Sequence, residues 1–209
     1  MSERIAAVVL AAGMSKRMGK PKALLPLGGL PMIARVIEPL VKIGSVEPIV
    51  VVTGHHAEQV RGAMDGCDVQ FVHNPNYESG GMLSSVKAGC RAIVDRCDAF
   101  LLLLGDQPLL TLETYRKLLA LPLAASRIQQ PCFNGKRGHP ILFRADCIDD
   151  ILALPGSATL KTFTQQISDA RLIEVDDSAV VTDIDTPQDY DRALLEYQAH
   201  RSEPCQPKV

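Results

Sequence analysis

Tryptophan is absent from this chain of 209 residues and aromatic residues make up 4% of it. That is too few for the ring platforms on which single-stranded nucleic acids stack. Charge of one sign is lacking too. With 22 basic against 24 acidic residues the net charge is -2, which removes any global electrostatic case for nucleic acid or an anionic membrane as partner. No apolar run is long enough to span a bilayer, and the early run over residues 5–12 leads into glycine and a basic loop instead of a processing site. The expectation is a soluble cytoplasmic protein. Cysteine pairs with metal-ligand spacing are missing: Cys67, Cys90, Cys97, Cys132, Cys147 and Cys205 are scattered without a CxxC, and are expected to stay reduced. His55-His56 has no cysteine nearby and reads as a loop after a strand, not as a preformed metal site.

What is present is 46% hydrophobic content in runs that alternate with helical patterns, enough for one α/β core. Residues 3–199 are expected to form one domain and residues 200–209 a disordered tail. Buried strands are expected at 5–10, 48–53, 69–73 and 99–104, with helices at 31–43, 57–64, after 79, and at 111–121. This βαβ alternation predicts an α/β fold, a Rossmann-like three-layer αβα sandwich with a mostly parallel central sheet. The Asn134-Gly135 pair between extended runs 128–133 and 136–143 predicts a hairpin, either adding antiparallel strands to that sheet or forming a small antiparallel flap. Helices at 143–154 and 158–167, a strand at 171–175 and a last helix capped by Thr186 and opened by Pro187 complete the reading.

The stretch LAAGMSKRMGKPK, residues 10–22, follows the first buried strand directly. Gly13 permits a tight turn or positive φ, and Ser15, Lys16, Arg17, Gly19, Lys20 and Lys22 crowd one short loop at the strand's carboxyl end. Exposed N–H groups and several cations together suit linked phosphates, so a nucleoside triphosphate is the expected ligand. Two other phosphate loops are excluded. Five residues separate Gly13 from Gly19 where a P-loop has four, and Pro21 stands where its Ser or Thr belongs. GxGxxG is absent, which removes the main support for a dinucleotide-dependent hydride transfer.

Asp106 follows the strong strand at 99–104 and reaches the same sheet edge as the basic loop, where a carboxylate beside a polyphosphate serves to hold Mg²⁺. Asp183 and Asp185 alternate across Ile184, so both carboxylates face one side of an extended segment and repel each other unless a cation intervenes.

LAAGMSKRMGKPKALLPLGG, with Gly105-Asp106-Gln107-Pro108 and the late DIDTPQD, resembles the nucleotidyltransferases of molybdenum-cofactor synthesis, most of all the molybdopterin cytidylyltransferase-like group. The resemblance implies that Leu10, Ala11, Ala12, Gly13 and Ser15 line the nucleotide site, with Arg17 and Lys22 as catalytic phosphate ligands. Asn74, Gly81, Met82 and Ser84 follow from the NP…GM..S segment as further nucleotide contacts. Asp106 matches the GDxP metal motif, and Asp183 and Asp185 the late one, giving Mg²⁺ as cofactor. Gly138-His139-Pro140 matches the GHP segment, so Lys136, Arg137 and His139 are implied to bind the acceptor. Guanylyl-transferring relatives usually carry Gly at the position of Ala12, which favours CTP over GTP. The implied reaction is transfer of CMP from CTP to the terminal phosphate of molybdopterin, with release of pyrophosphate. Another phosphorylated acceptor such as a sugar phosphate stays open. So does a non-catalytic nucleotide-binding maturation protein, and a molybdoenzyme or its maturation factor is an implied partner.

Overall fold

The computed structural model describes residues 3–202, with side chains through Ala199. The elements are β1 (Ile5–Ala11), β2 (Pro26–Leu27), β3 (Leu30–Pro31), α1 (Met32–Ile43), β4 (Val46–Thr53), α2 (Ala57–Ala63), β5 (Gln70–His73), α3 (Gly81–Ile93) and β6 (Ala99–Leu104). They continue with α4 (Leu112–Leu119), β7 (Ile128–Phe133), β8 (Lys136–Arg137), β9 (Ile141–Arg144), α5 (Cys147–Ala153), α6 (Leu160–Gln166), β10 (Ala170–Glu174) and α7 (Pro187–Ser202).

The main sheet runs β10-β7-β9-β6-β1-β4-β5, with β8 paired to β7. β1 lies parallel between β4 and β6, and β9 is antiparallel to both β6 and β7. Alternation along β1 explains the three layers. Ala7 and Val9 face α1, α2 and α4 through Ile33, Ile37, Val60 and Tyr115. Ala6 and Val8 face α3, α5 and α6 through Val86, Cys90, Ile151 and Phe163. Both faces of the strand are therefore dry, as its unbroken apolar run requires.

The antiparallel strands lie in the sheet and at its margin. The predicted hairpin sends β9 into the sheet beside β6, while β8 adds only a short ladder to β7. Separately, β2 and β3 form a two-stranded antiparallel unit that turns through Gly28 and Gly29. Three boundaries differ from expectation. The helix expected from Phe143 begins at Cys147: Phe143 belongs to β9, as the extended run 136–143 allowed, and stacks on Phe100 at 5.1 Å, because an all-apolar trio is buried as strand as readily as helix. The extended segment expected from Val180 through Asp183 and Asp185 begins inside a 3-10 turn over residues 178–181 and continues as coil. α7 runs past Ala199 to Ser202, into the stretch expected to be tail; residues 203–209 lie outside the described ones.

Among the described residues, no helix is long and apolar enough to cross a membrane. Cys67, Cys90, Cys97, Cys132 and Cys147 are free thiols, and Cys205 lies outside the described residues. Burial pushes the Cys90 thiol up to about 12, far from reactive thiolate.

Candidate active site

β1 and β6 end side by side at the carboxyl edge of the sheet. The Gly105 N–H donates to the Leu10 carbonyl at 2.9 Å, and a Cβ at Gly105 would stand 2.7 Å from that oxygen. Only glycine allows this approach, and Asp106 is thereby delivered beside the loop that leaves β1. A cavity of about 370 Å³ opens here, walled by residues 10–13, Ser15, Arg17, Lys22, Asp106, Asp183 and Asp185, among others. Open α/β sheets place ligands at such an edge.

The loop is held by its own hydroxyl. Ser15 Oγ accepts from the Lys22 N–H at 3.0 Å, closing the basic stretch into a ring. Of the two conformations open to Gly13, a tight turn or positive φ, it does not take the second; positive φ in the loop falls on Ser15 (52°) and Gly19 (64°). Gly13 is exposed, and a Cβ there would meet nothing within 4 Å, so its backbone stands open to the cavity. Lys16 and Lys20 point to solvent.

Lys22 Nζ donates to Asp106 Oδ2 at 2.7 Å and to Asp185 Oδ1 at 2.7 Å, and Arg17 Nη2 reaches Asp185 Oδ2 at 2.6 Å. Burial alone would depress the Lys22 ammonium, but the charge of Asp106 and the hydrogen bonds to both carboxylates outweigh it and hold its pKa above the ordinary lysine value. The hydrogen bond from Lys22 holds Asp185 below the usual carboxylate range, and Arg17 adds to it.

Asp183 and Asp185 do face one cavity, for a tertiary reason. Ile184 between them is buried against Leu27, Met32 and Ala193, and its N–H donates to the Asp106 carbonyl at 3.0 Å. Thr186 and Asp189 then cap α7 reciprocally. The Thr186 N–H donates to Asp189 Oδ2 at 2.9 Å and the Asp189 N–H to Thr186 Oγ1 at 3.2 Å, a capping box that fixes where Asp185 sits. Asp183 accepts from Gln107 Nε2 at 2.8 Å. Its carboxyl pKa is raised, first by the cavity walls that crowd it, then by the charges of Asp106 and Asp185. By surface area the side chain is exposed, so the charge repulsion and the crowding are both felt through water.

Other sequence candidates fall elsewhere. Met82, 53% exposed, lines the cavity, whereas Asn74 and Ser84 line a separate cleft beside α3 and Gly81 opens that helix at φ 58°. Asn74 is 2% exposed and donates from Nδ2 to Ser84 Oγ at 2.8 Å and Ser85 Oγ at 3.0 Å, which orients the Ser85 hydroxyl on the cavity wall. Lys136 and Arg137 are exposed on β8 and do not line the cavity. His139 is tucked beneath, with Nδ1 3.5 Å from the Leu102 carbonyl oxygen; burial lowers its pKa and keeps the imidazole neutral. Tyr77 and Ser85 line the cavity and are not among the sequence candidates. The run Asn74-Pro-Asn-Tyr-Glu-Ser-Gly-Gly shows that Tyr77 is on a loop but not which way the loop folds.

Among the described residues, no group of three or more His, Cys, Asp or Glu side chains stands ready to hold a metal ion, and the Lys22 ammonium bridges Asp106 and Asp185. The donor set still fits a hard divalent cation. Asp106, Asp183 and Asp185 offer only oxygen, and Mg²⁺ usually takes one or two carboxylates with substrate phosphates instead of a complete protein cage.

Sheet, edge and charged cavity together define an α/β protein with cations and carboxylates gathered where β1 and β6 end. The chain matches the MobA-like NTP transferase domain over residues 7–172 and belongs to that family of nucleotidyltransferases. It is 30% identical over 192 residues to the molybdenum cofactor cytidylyltransferase of Escherichia coli K12, covering 91% of this chain and 95% of the relative. It is also 30% identical over 202 residues to the nicotine blue oxidoreductase of Paenarthrobacter nicotinovorans, covering 91% and 96%. A crystal structure of a Mycobacterium tuberculosis H37Rv protein in complex with manganese is similar to it with a TM-score of 0.73 at 26% identity, over 93% of this chain and 99% of that one.

Proposed function

We propose that this nucleotidyltransferase moves CMP from CTP to the terminal phosphate of molybdopterin. An acceptor phosphate oxygen attacks the α-phosphorus in line, the bond from that phosphorus to the oxygen bridging it to the β-phosphorus breaks, and pyrophosphate leaves. The observation that carries this is the meeting of Arg17 and Lys22 with Asp106 and Asp185 at contact distances of 2.6–2.7 Å on one cavity wall. A terminal phosphate is already an anion at neutral pH, so the chemistry asks little of a base and much of charge neutralisation. The loop N–H groups, Arg17 and Lys22 bind the triphosphate and stabilise charge that builds on the leaving oxygens. Asp106, with Asp183 or Asp185, would hold Mg²⁺, and a bound divalent ion supplies further charge stabilisation at those oxygens. Ala12, buried on the wall with a methyl group, supports CTP over GTP on the resemblance drawn from the motif.

One relative bears the name of an oxidoreductase, which makes hydride transfer the second reading. The charged end of this cavity, two cations with three carboxylates, favours linked phosphates over a reducible ring. The test is pyrophosphate release on incubation with CTP or GTP, Mg²⁺ and molybdopterin or sugar phosphates. Release with CTP and molybdopterin is expected, and Lys22→Ala should slow it by about a hundredfold or more, as deletion of one charge-stabilising donor does elsewhere. Silence with every donor and acceptor, or near-normal turnover of Lys22→Ala, overturns the proposal.

A further inference from the structure

The cavity has two chemically different ends. Across the sheet order, Asp106 marks the β6 side and the phosphate loop the centre over β1, while Tyr77 stands on the far side, where β4 and β5 end. Tyr77 is held from several directions. It packs against Gly54, the residue that follows β4, where a Cβ would stand 2.8 Å from both Cβ and Cγ of Tyr77 and 2.5 Å from the Ala12 carbonyl oxygen. The His55 ring lies 5.9 Å and the His73 ring 6.2 Å from the Tyr77 ring. Its hydroxyl donates to Glu78 Oε1 at 3.1 Å, outside the cavity wall. The hydrogen-bonding tip is therefore occupied, and what Tyr77 offers the cavity is its ring. Among the described residues no Phe or His shares that wall, so Tyr77 is the one aromatic side chain there, with exposed Met82 and the oriented Ser85 hydroxyl beside it.

We propose that Tyr77 is the platform on which the base of the nucleoside triphosphate stacks, and that Gly54 is a positioning residue whose missing side chain lets the ring stand there. This rests on the triphosphate-donor reading above. A triphosphate lying over the β1 loop must send its base to one side or the other. The β6 side carries three carboxylates, and the β4–β5 side carries a fixed aromatic face, a thioether and a hydroxyl, which suit a flat polar-edged ring. Stacking accepts any base, so the platform sets affinity for the nucleoside and leaves base choice to polar contacts.

The experiment measures binding of CTP, GTP and inorganic tripolyphosphate in Mg²⁺ by calorimetry. Tripolyphosphate carries the phosphates without base or sugar. Tyr77→Leu, which keeps apolar volume but removes the ring, should weaken CTP and GTP alike by about ten- to a hundredfold and leave tripolyphosphate unchanged. Tyr77→Phe should stay within about twofold of the parent. Gly54→Ala, whose Cβ would press on the Tyr77 ring and on the Ala12 carbonyl oxygen without itself lining the cavity, should raise KM for CTP more than it lowers kcat. Tyr77→Leu that binds CTP normally, or that loses CTP and tripolyphosphate in equal measure, overturns the assignment. Parent protein that binds tripolyphosphate but neither CTP nor GTP overturns the donor reading instead, and shows it before any variant is made.

Discussion

Asp183 is the residue whose charge state the cavity most resists. Its folded pKa lies above the ordinary carboxylate value, so ionising it costs the folded state free energy. That cost is absent below the unfolded pKa near 3.9, grows as pH rises, and is complete above the raised folded value. Asp183→Asn, which can still accept from Gln107, should therefore raise thermal stability at pH 7, and the gain should vanish below about pH 4. Because the side chain is exposed, screening keeps the gain under about 1 kcal/mol, or less than about 4 °C in Tm. Melting curves across pH check this, and a loss of stability at pH 7 would contradict the assignment. At this scale the legibility of the sequence was uneven. Arg17, Lys22, Asp106, Asp183 and Asp185 stand on one cavity because charge patterns betray themselves in a short loop and at the end of an apolar strand. Asn74 and Ser84 were drawn to the same motif, but their hydrogen bonds turn them toward each other and leave Ser85 on the wall.

Among the elements, α3 lies closest against the strands that end at the cavity. Gly89 in its middle presses on β1 and β4, where a Cβ would stand 2.3 Å from Val8 Cγ1 and 3.2 Å from Val52 Cγ2. Both neighbours are β-branched and locked in the sheet, so neither yields cheaply. Gly89→Ala should cost about 1–3 kcal/mol of stability despite its gain in helix propensity, and denaturant titration would read it as a lower midpoint. An unchanged or higher midpoint would show that α3 can back away from the sheet. Helices α1 and α3 and the strands at 99–104 and 128–133 were readable from period and apolar runs. Phe143 could be read as the end of the extended run or as the start of the next helix, because a short apolar run carries no periodicity, and stacking on Phe100 goes with its place in the sheet.

For the whole molecule, the charged end of the site exists only when three distant segments meet: the loop after β1, the end of β6 and the turn before α7. A ligand that grips all three stabilises the fold as a unit. With Mg²⁺ and CTP at about 100 times Kd, linkage gives about 2.7 kcal/mol, a rise in Tm of roughly 5–10 °C. A chelator should remove most of that rise, since polyanion and carboxylates then face each other with only Arg17 and Lys22 between them. A full shift in the presence of chelator would show that the cations of the chain suffice. The sequence by itself determined the layers, the basic loop and the carboxylates available to it, because apolar period and local charge are properties of contiguous residues. The tertiary structure alone decided that Lys22 stands between Asp106 and Asp185, that Ile184 turns two aspartates into the cavity, and that Tyr77 rather than Asn74 lines its far end. Those outcomes depend on which strand ends become neighbours and on the small residues, Gly54 and Gly105, that allow the close approach, and separation along the chain carries no record of either.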